Sequence, residues 1–222
     1  MNRRVAVVEK ITKANDRLAE VNRALLARHK LASLNLMSSP GAGKTTLVER
    51  TVAGLAGKYR LGVVEGDLVT SLDAERAAAA GAESVQINTG GSCHLDAGMV
   101  GDALGQLPLA DLDLLIVENV GNLICPATFD LGTDHKVVVA SVPEGDDKPF
   151  KYPTMYRGVD VLIINKIDLL PYVTFDMDRF RSGVAALNEN VTVLPMSCRT
   201  GEGLDAWLNW LGDQVVRTRA RR

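Results

Sequence analysis

The chain has 222 residues, of which 46% are hydrophobic and 23% charged, and its formal net charge is −2. Those values describe a globular chain long enough to bury a large core without staples, and they supply no electrostatic footprint for nucleic acid. There is no apolar run long enough to span a membrane, and three cysteines make no disulfide framework at this length; a cytoplasmic, reducing setting with metal or thiol roles is expected.

Residues 3–30 read as an amphipathic helix: Val5, Val8, Ile11, Leu18, Val21 and Leu25 recur at helical spacing with charged residues between them. Glu9 and Lys10 interrupt any signal-peptide core. Such a helix either packs on the core or serves as a partner-binding arm, and its one histidine, His29, is expected in solvent. Residues 31–222 read as a single domain.

The stretch from Leu34 to Val48, LNLMSSPGAGKTTLV, is an apolar strand, a small-residue turn and the start of a helix. In that context successive loop N–H groups form an anion nest, and the helix N-terminus adds partial positive charge. Gly41, Ala42, Gly43, Lys44, Thr45 and Thr46 are the candidate phosphate contacts, with Lys44 reaching the β- and γ-phosphates and Thr45 holding Mg²⁺. The full pattern has glycine where this chain has Ser38, which requires a negative φ there. The plain alternative is an ordinary strand-turn-helix with a solvated Lys44.

Leu61–Val64 is the next strand and ends in Glu65-Gly66-Asp67. Ligands of open α/β sheets bind at such carboxyl ends, so Asp67 is a candidate to hold Mg²⁺ through water or to orient an attacking water. Asp73, on a predicted helix from Leu72 to Ala80, is a lesser candidate that also fits a helix cap. A short strand, Val85–Asn88, leads into TGGSCHLDA and a helix from about Leu95 to Leu104. Thiolate and imidazole at Cys93 and His94 suit Zn²⁺ or Ni²⁺. The strand Leu112–Val117 ends in Glu118-Asn119, with Glu118 facing the Mg²⁺ shell. Gly121 follows where a γ-phosphate-sensing loop needs an unhindered N–H. Cys125 comes directly after, so Cys93, His94 and Cys125 all lie past the carboxyl ends of strands.

His135–Val142 is a strand with His135 at its exposed start, and Glu144–Lys148 reads as a solvated charged loop. Val159–Ile164 ends in Asn165-Lys166-Ile167-Asp168. A fixed carboxylate at Asp168 accepts from N1–H and the 2-amino group of guanine, and adenine would leave it unpaired. Asn165 can tie this turn to the phosphate loop, and the Lys166 stem can cover the base. After a helix over Asp176–Asn188 and a strand over Val191–Leu194, Ser197-Cys198-Arg199-Thr200-Gly201 forms a base loop whose backbone N–H can meet the guanine oxygen. Cys198 is therefore not counted as a metal ligand. A closing helix, Leu204–Val216, places Trp207 and Leu211 toward the core, and a basic tail follows.

In this order SSPGAGKTT, EGDLVTSLDAER, NTGGSCHLDA, ENVGNLICPA and NKID resemble the HypB-type hydrogenase nickel-incorporation GTPases, a branch that also holds the urease accessory GTPase. The resemblance runs from about Leu31 to Gly212. The phosphate loop and NKID specify only a GTPase, whereas CHLDA and ENVGNLICP separate the chain from its urease relative. The resemblance implies an α/β P-loop NTPase fold: a mainly parallel sheet of about seven strands flanked by helices on both faces. It implies slow, Mg²⁺-dependent GTP hydrolysis with Lys44, Asp67 and Gly121 in catalytic roles and Thr45, Asp67 and Glu118 around Mg²⁺. It maps nucleotide contacts onto Gly41–Thr46, Asn165, Lys166 and Asp168, and a Ni²⁺ or Zn²⁺ site onto Cys93, His94 and Cys125. Nickel delivery to [NiFe] hydrogenase is the implied use, with other maturation proteins and the hydrogenase large-subunit precursor as partners. Many members carry an N-terminal Cys-rich motif or a His-rich tract; neither occurs in these residues, so a separate storage site is not expected. Three ligands are one short of a closed four-coordinate site, so a homodimer favoured by GTP and metal is expected. Nucleic acid and membrane are not expected partners. An accessory GTPase for another metalloenzyme such as urease, and a nucleotide-dependent metal-binding module without significant turnover, are the alternatives.

Overall fold

The structure, a computed structural model, describes residues 7–67 and 72–220, with the backbone alone for residues 7–11, 72 and 73. Residues 3–6 of the expected first helix and the Asp73 side chain lie outside the described residues. The described residues form seven strands: β1 (Ala32–Ser38), β2 (Leu61–Asp67), β3 (Glu83–Asn88), β4 (Leu114–Glu118), β5 (His135–Ser141), β6 (Val161–Asn165) and β7 (Thr192–Pro195). They form one sheet in the order β3-β2-β4-β1-β5-β6-β7, and every neighbouring pair is parallel. All seven carboxyl ends therefore share one edge, and the loops that carry the candidate residues leave from it.

Among the described residues eight α-helices flank the strands: α1 (Val7–Arg28) before β1, α2 (Lys44–Leu55), α3 (Leu72–Ala79), α4 (Ala97–Leu104), α5 (Lys148–Lys151), α6 (Pro153–Arg157) and α7 (Met177–Ala185) between strands, and α8 (Leu204–Ala220) after β7. Because side chains alternate across a strand, each central strand feeds two cores. Leu34, Leu36, Val63, Ile116, Val139 and Ile163 meet Leu47 and Val52 of α2 and Trp207 and Leu211 of α8 on one face. On the other face Val64, Leu115 and Val117 meet Leu26 of α1 and Val100 and Leu104 of α4. Beside them Met37, Val138, Leu162 and Ile164 meet Tyr156 of α6 and Phe180 and Val184 of α7. The sheet is thus covered on both faces, as the α/β reading requires. No described helix is long and apolar enough to cross a membrane.

Four local expectations are corrected. The apolar spacing of α1 gives only part of its buried face: Leu25 packs against the core, but Leu18 and Val21 are 47% and 63% exposed, whereas Asn15 and Asn22 are 6% and 3% exposed. The packed face runs Asn15, Ala19, Asn22, Leu26, a helical period hidden from a count of apolar residues alone. His29 is half-buried, and both ring nitrogens of His135 are buried, with the ring edge-on to Trp210 and Nδ1 3.6 Å from the Asp160 carboxylate. The segment after β5 is not simply solvated. Glu144 accepts from Ser39 and Ser141, Asp146 pairs with Arg179 at 2.8 Å, and prolines in the first turns of α5 and α6 start two short unexpected helices.

Candidate nucleotide and metal site

A cavity of about 520 Å³ opens at the shared carboxyl edge over β1, β2 and β4. Its floor is the turn between β1 and α2. Ser38 closes β1 at a negative φ, as the departure from glycine there demands, while Gly43 turns back at φ 103°. An added Cβ on Gly43 would stand 2.4 Å from the Asn165 amide, so this position has both a conformational and a steric reason to be glycine. Lys44 Nζ donates to Ser38 Oγ at 2.9 Å, which holds the ammonium over the turn. Gly41, Gly43, Lys44, Thr45 and Thr46 line the cavity; Ala42 is fully buried beneath it.

Thr45 Oγ1 donates to Glu118 Oε1 at 2.9 Å. Asp67 lines the same wall, and so does Glu65, which the sequence reading passed over. Parallel pairing sets Glu65 directly beside Glu118, and both are buried. The signal was present in the sequence: Glu65 and Asp67 are two apart on one strand and so share a face. A hydroxyl with neighbouring carboxylates is a hard oxygen set of the kind Mg²⁺ takes. Gly121 lines the far wall, where an added Cβ would meet the Pro40 backbone at 3.1 Å. The loop after β4 therefore rests on the β1–α2 turn through bare backbone.

Asn165 joins three segments at the base end. Its Nδ2 donates to Ala42 O at 2.9 Å, and its Oδ1 accepts from Lys166 N at 2.8 Å and Cys198 N at 3.1 Å. Lys166 sits at φ 63° and reaches Gly41 O at 2.6 Å. Asp168 is oriented by Ser197, whose hydroxyl donates to Oδ1 at 2.6 Å. The bond from Cys198 N–H to Asn165 ties the Ser197–Gly201 loop to the end of β6. Its thiol packs in the core under α2 and α8, and burial pushes its pKa up to about 11.

Beyond the far wall lie Cys93, His94 and Cys125, whose ligand atoms all fall within 4.8 Å of one another. The Cys93 and Cys125 sulfurs are 3.2 Å apart, and Cys93 Sγ is 3.8 Å from His94 Nδ1. Burial lowers the His94 pKa, which favours the neutral imidazole a metal takes; the hydrogen bond shared with Cys93 raises that of the Cys125 thiol. Phe129 stacks on the His94 ring at 4.1 Å between centroids. Asn119 and Asn122 connect this cluster to the cavity. Asn119 lines the cavity, and its Oδ1 accepts from Leu95 N at 3.0 Å, next to His94. Asn122 Nδ2 donates to Cys93 O at 3.2 Å. The sequence reading assigned neither a role, since an asparagine in a loop carries no signal without its partner.

The family model "CobW/HypB/UreG, nucleotide-binding domain" matches residues 33–195. The hydrogenase maturation factor HypB of Escherichia coli (strain K12) is 50% identical over 200 residues, covering 90% of this chain and 69% of that protein. Among solved structures, HypB from Archaeoglobus fulgidus superposes with a TM-score of 0.86 at 38% identity, over 91% of this chain and 99% of that one. HypB from Helicobacter pylori, solved in complex with nickel, superposes with a TM-score of 0.88 at 38% identity, over 92% and 96% of the two chains.

Proposed function

Because the chain belongs to the HypB family within the CobW/HypB/UreG nucleotide-binding proteins, we propose that it hydrolyses GTP to gate nickel delivery during maturation of [NiFe] hydrogenase. One observation carries this reading. The segment from Glu118 to Cys125 begins in the wall of the phosphate cavity and ends in the Cys/His cluster, bracing both through Asn119 and Asn122. Loss of a phosphate contact at one end is then felt as movement of a ligand at the other.

In this reading the turn N–H groups and Lys44 bind the phosphates, and Asp168 reads guanine. Thr45, Glu118 and Asp67 would hold Mg²⁺, which supplies charge neutralisation at the β- and γ-phosphate oxygens. Asp67 orients the attacking water, and the Gly121 N–H senses the γ-phosphate. Unassisted turnover is on the order of 10⁻³ s⁻¹, by analogy with GTPases that lack a partner's arginine. Cys93, His94 and Cys125 hold Ni²⁺, with Zn²⁺ as competitor, and a second copy across a two-fold axis completes the coordination. The nickel complex of the Helicobacter pylori relative supports the metal assignment.

The test is titration of Ni²⁺ and Zn²⁺ into protein loaded with GDP or a non-hydrolysable GTP analogue, with mass followed by light scattering. Tighter binding and a dimer with the analogue are expected, and linkage requires metal to favour the GTP state by the same free energy. Equal affinity and mass in both states would refute the coupling. Intact coupling without GTP turnover would reduce the protein to a nucleotide-dependent metal-binding module.

A further inference from the structure

The metal-ligand loops, 93–97 and 125–131, come from opposite sides of β2 in the sheet order, and no covalent link sets their spacing. We propose that α1 is a clip that sets it, with Asn15 and Asn22 as positioning residues for the metal site. The proposal rests on Cys93, His94 and Cys125 being that site.

Both asparagines bridge the two loops. Asn15 Oδ1 accepts from Ala97 N at 2.9 Å, and its Nδ2 donates to Asp130 O at 2.8 Å. Two turns on, Asn22 Nδ2 donates to Ala97 O at 2.8 Å and to Leu131 O at 3.1 Å. Ala97 is thus held at both its N–H and its C=O, three residues after His94. The residues held on the other loop directly follow Phe129, which stacks on the His94 ring, and lie five and six residues after Cys125. Arg23, one residue on from Asn22, adds a 2.6 Å bond to the Asp130 carboxylate and a 3.2 Å bond to Thr133 O. At Gly132 the loop approaches α1 so closely that an added Cβ would meet Ala19 O at 2.3 Å.

The chemistry explains why this buried helix face carries amides rather than leucines. A carboxamide offers an acceptor and a donor at once, so one side chain can satisfy the Ala97 N–H, an orphan at the start of α4, and a carbonyl of the opposite loop. An aliphatic residue would fill the volume and leave both groups buried and unpaired. Ligand sets need their supporting residues to hold geometry within a fraction of an ångström, and outer partners of metal ligands are worth about 10–100-fold in affinity. No described residue of α1 lines the phosphate cavity, so the clip acts on the metal loops and leaves the nucleotide contacts alone.

The experiment compares wild type with Asn15→Asp, Asn15→Ala and Asn22→Ala. Asn15→Asp keeps the acceptor for Ala97 N–H and turns the donor to Asp130 O into an oxygen, so it breaks one side of the clip in a shape-matched variant. Ni²⁺ affinity, read from the thiolate-to-nickel charge-transfer band, should fall about 10–100-fold in each variant, with affinity for a GTP analogue unchanged. A metal-free arm uses phenylarsine oxide, whose As=O condenses with the Cys93 and Cys125 thiols to form two As–S bonds and one water. Ring closure, measured by competition with a small dithiol, should weaken in the same variants. Wild-type values in both arms would overturn the clip, and so would nickel and nucleotide affinities falling together. Nickel binding that Cys93→Ala/Cys125→Ala leaves unchanged refutes the metal site instead, and the arsenical arm then still decides whether α1 sets the thiol spacing.

Discussion

Removing the Asn165 side chain should damage stability and nucleotide binding together. The residue is 1% exposed, and its amide serves Ala42 O, Lys166 N and Cys198 N. Asn165→Ala leaves Ala42 O and Cys198 N buried without a partner, each costing about 1–3 kcal/mol. A water admitted into the space beside Gly43 offsets part of this, so a net loss of about 2–4 kcal/mol is expected. At roughly 2–4 °C per kcal/mol for a chain of this size, the melting temperature should drop by about 5–15 °C. The phosphate turn loses its tie to the base-reading turn, and a misplacement worth ~1.4 kcal/mol already weakens GTP about tenfold. Asn165→Asp separates the contributions: it keeps the Oδ1 acceptor for both N–H groups and places an oxygen against Ala42 O, so it should loosen the phosphate turn more than the Cys198 loop. Thermal unfolding and titration with a fluorescent GTP analogue measure both effects. A melting temperature within about 2 °C of wild type, with GTP affinity within about twofold, would refute the assignment of Asn165 as the tie between the two turns.

Lys44→Ala should abolish GTP hydrolysis and sharply weaken nucleotide binding through loss of a charge-assisted phosphate contact; near-normal turnover in a folded variant would end the phosphate-loop reading. Asp168→Asn adds a donor facing the guanine donors, so preference for GTP over ATP should collapse and xanthosine nucleotides should bind better, as competition assays will show. Full retention of guanine preference would remove Asp168 as base reader. Asp130 should make stability acid-sensitive. Burial works against its ionisation, but the Gly132 N–H and the Arg23 guanidinium outweigh burial and hold its pKa below the ordinary 3.8. Its contribution is full above the unfolded value and is lost as pH falls through the depressed folded value. Urea unfolding of wild type and Arg23→Gln should therefore converge below about pH 4; a constant gap down to the lowest pH would contradict the linkage.

The sequence alone determined the seven strands and the longer helices between them, though not the short α5 and α6. The five inner strands are legible because a parallel strand buried on both faces is a short apolar run, and the half-buried edge strands β3 and β7 because loop residues punctuate them. The nucleotide motifs are legible because their parts lie within a few residues of each other. Tertiary structure decided what depends on sheet order and on partners distant in sequence. Cys93 and Cys125 come within 3.2 Å only because β2 alone separates β3 from β4 and all three end on one edge. Glu65 becomes part of the cavity because the β2–β4 register sets it beside Glu118, and the Cys198 N–H meets Asn165, which comes from a different strand. The packing face of α1 was hidden most completely. Hydrophobic periodicity registers burial driven by apolar area, whereas Asn15 and Asn22 are buried for the backbone groups they satisfy, and those groups lie 75 to 115 residues away along the chain.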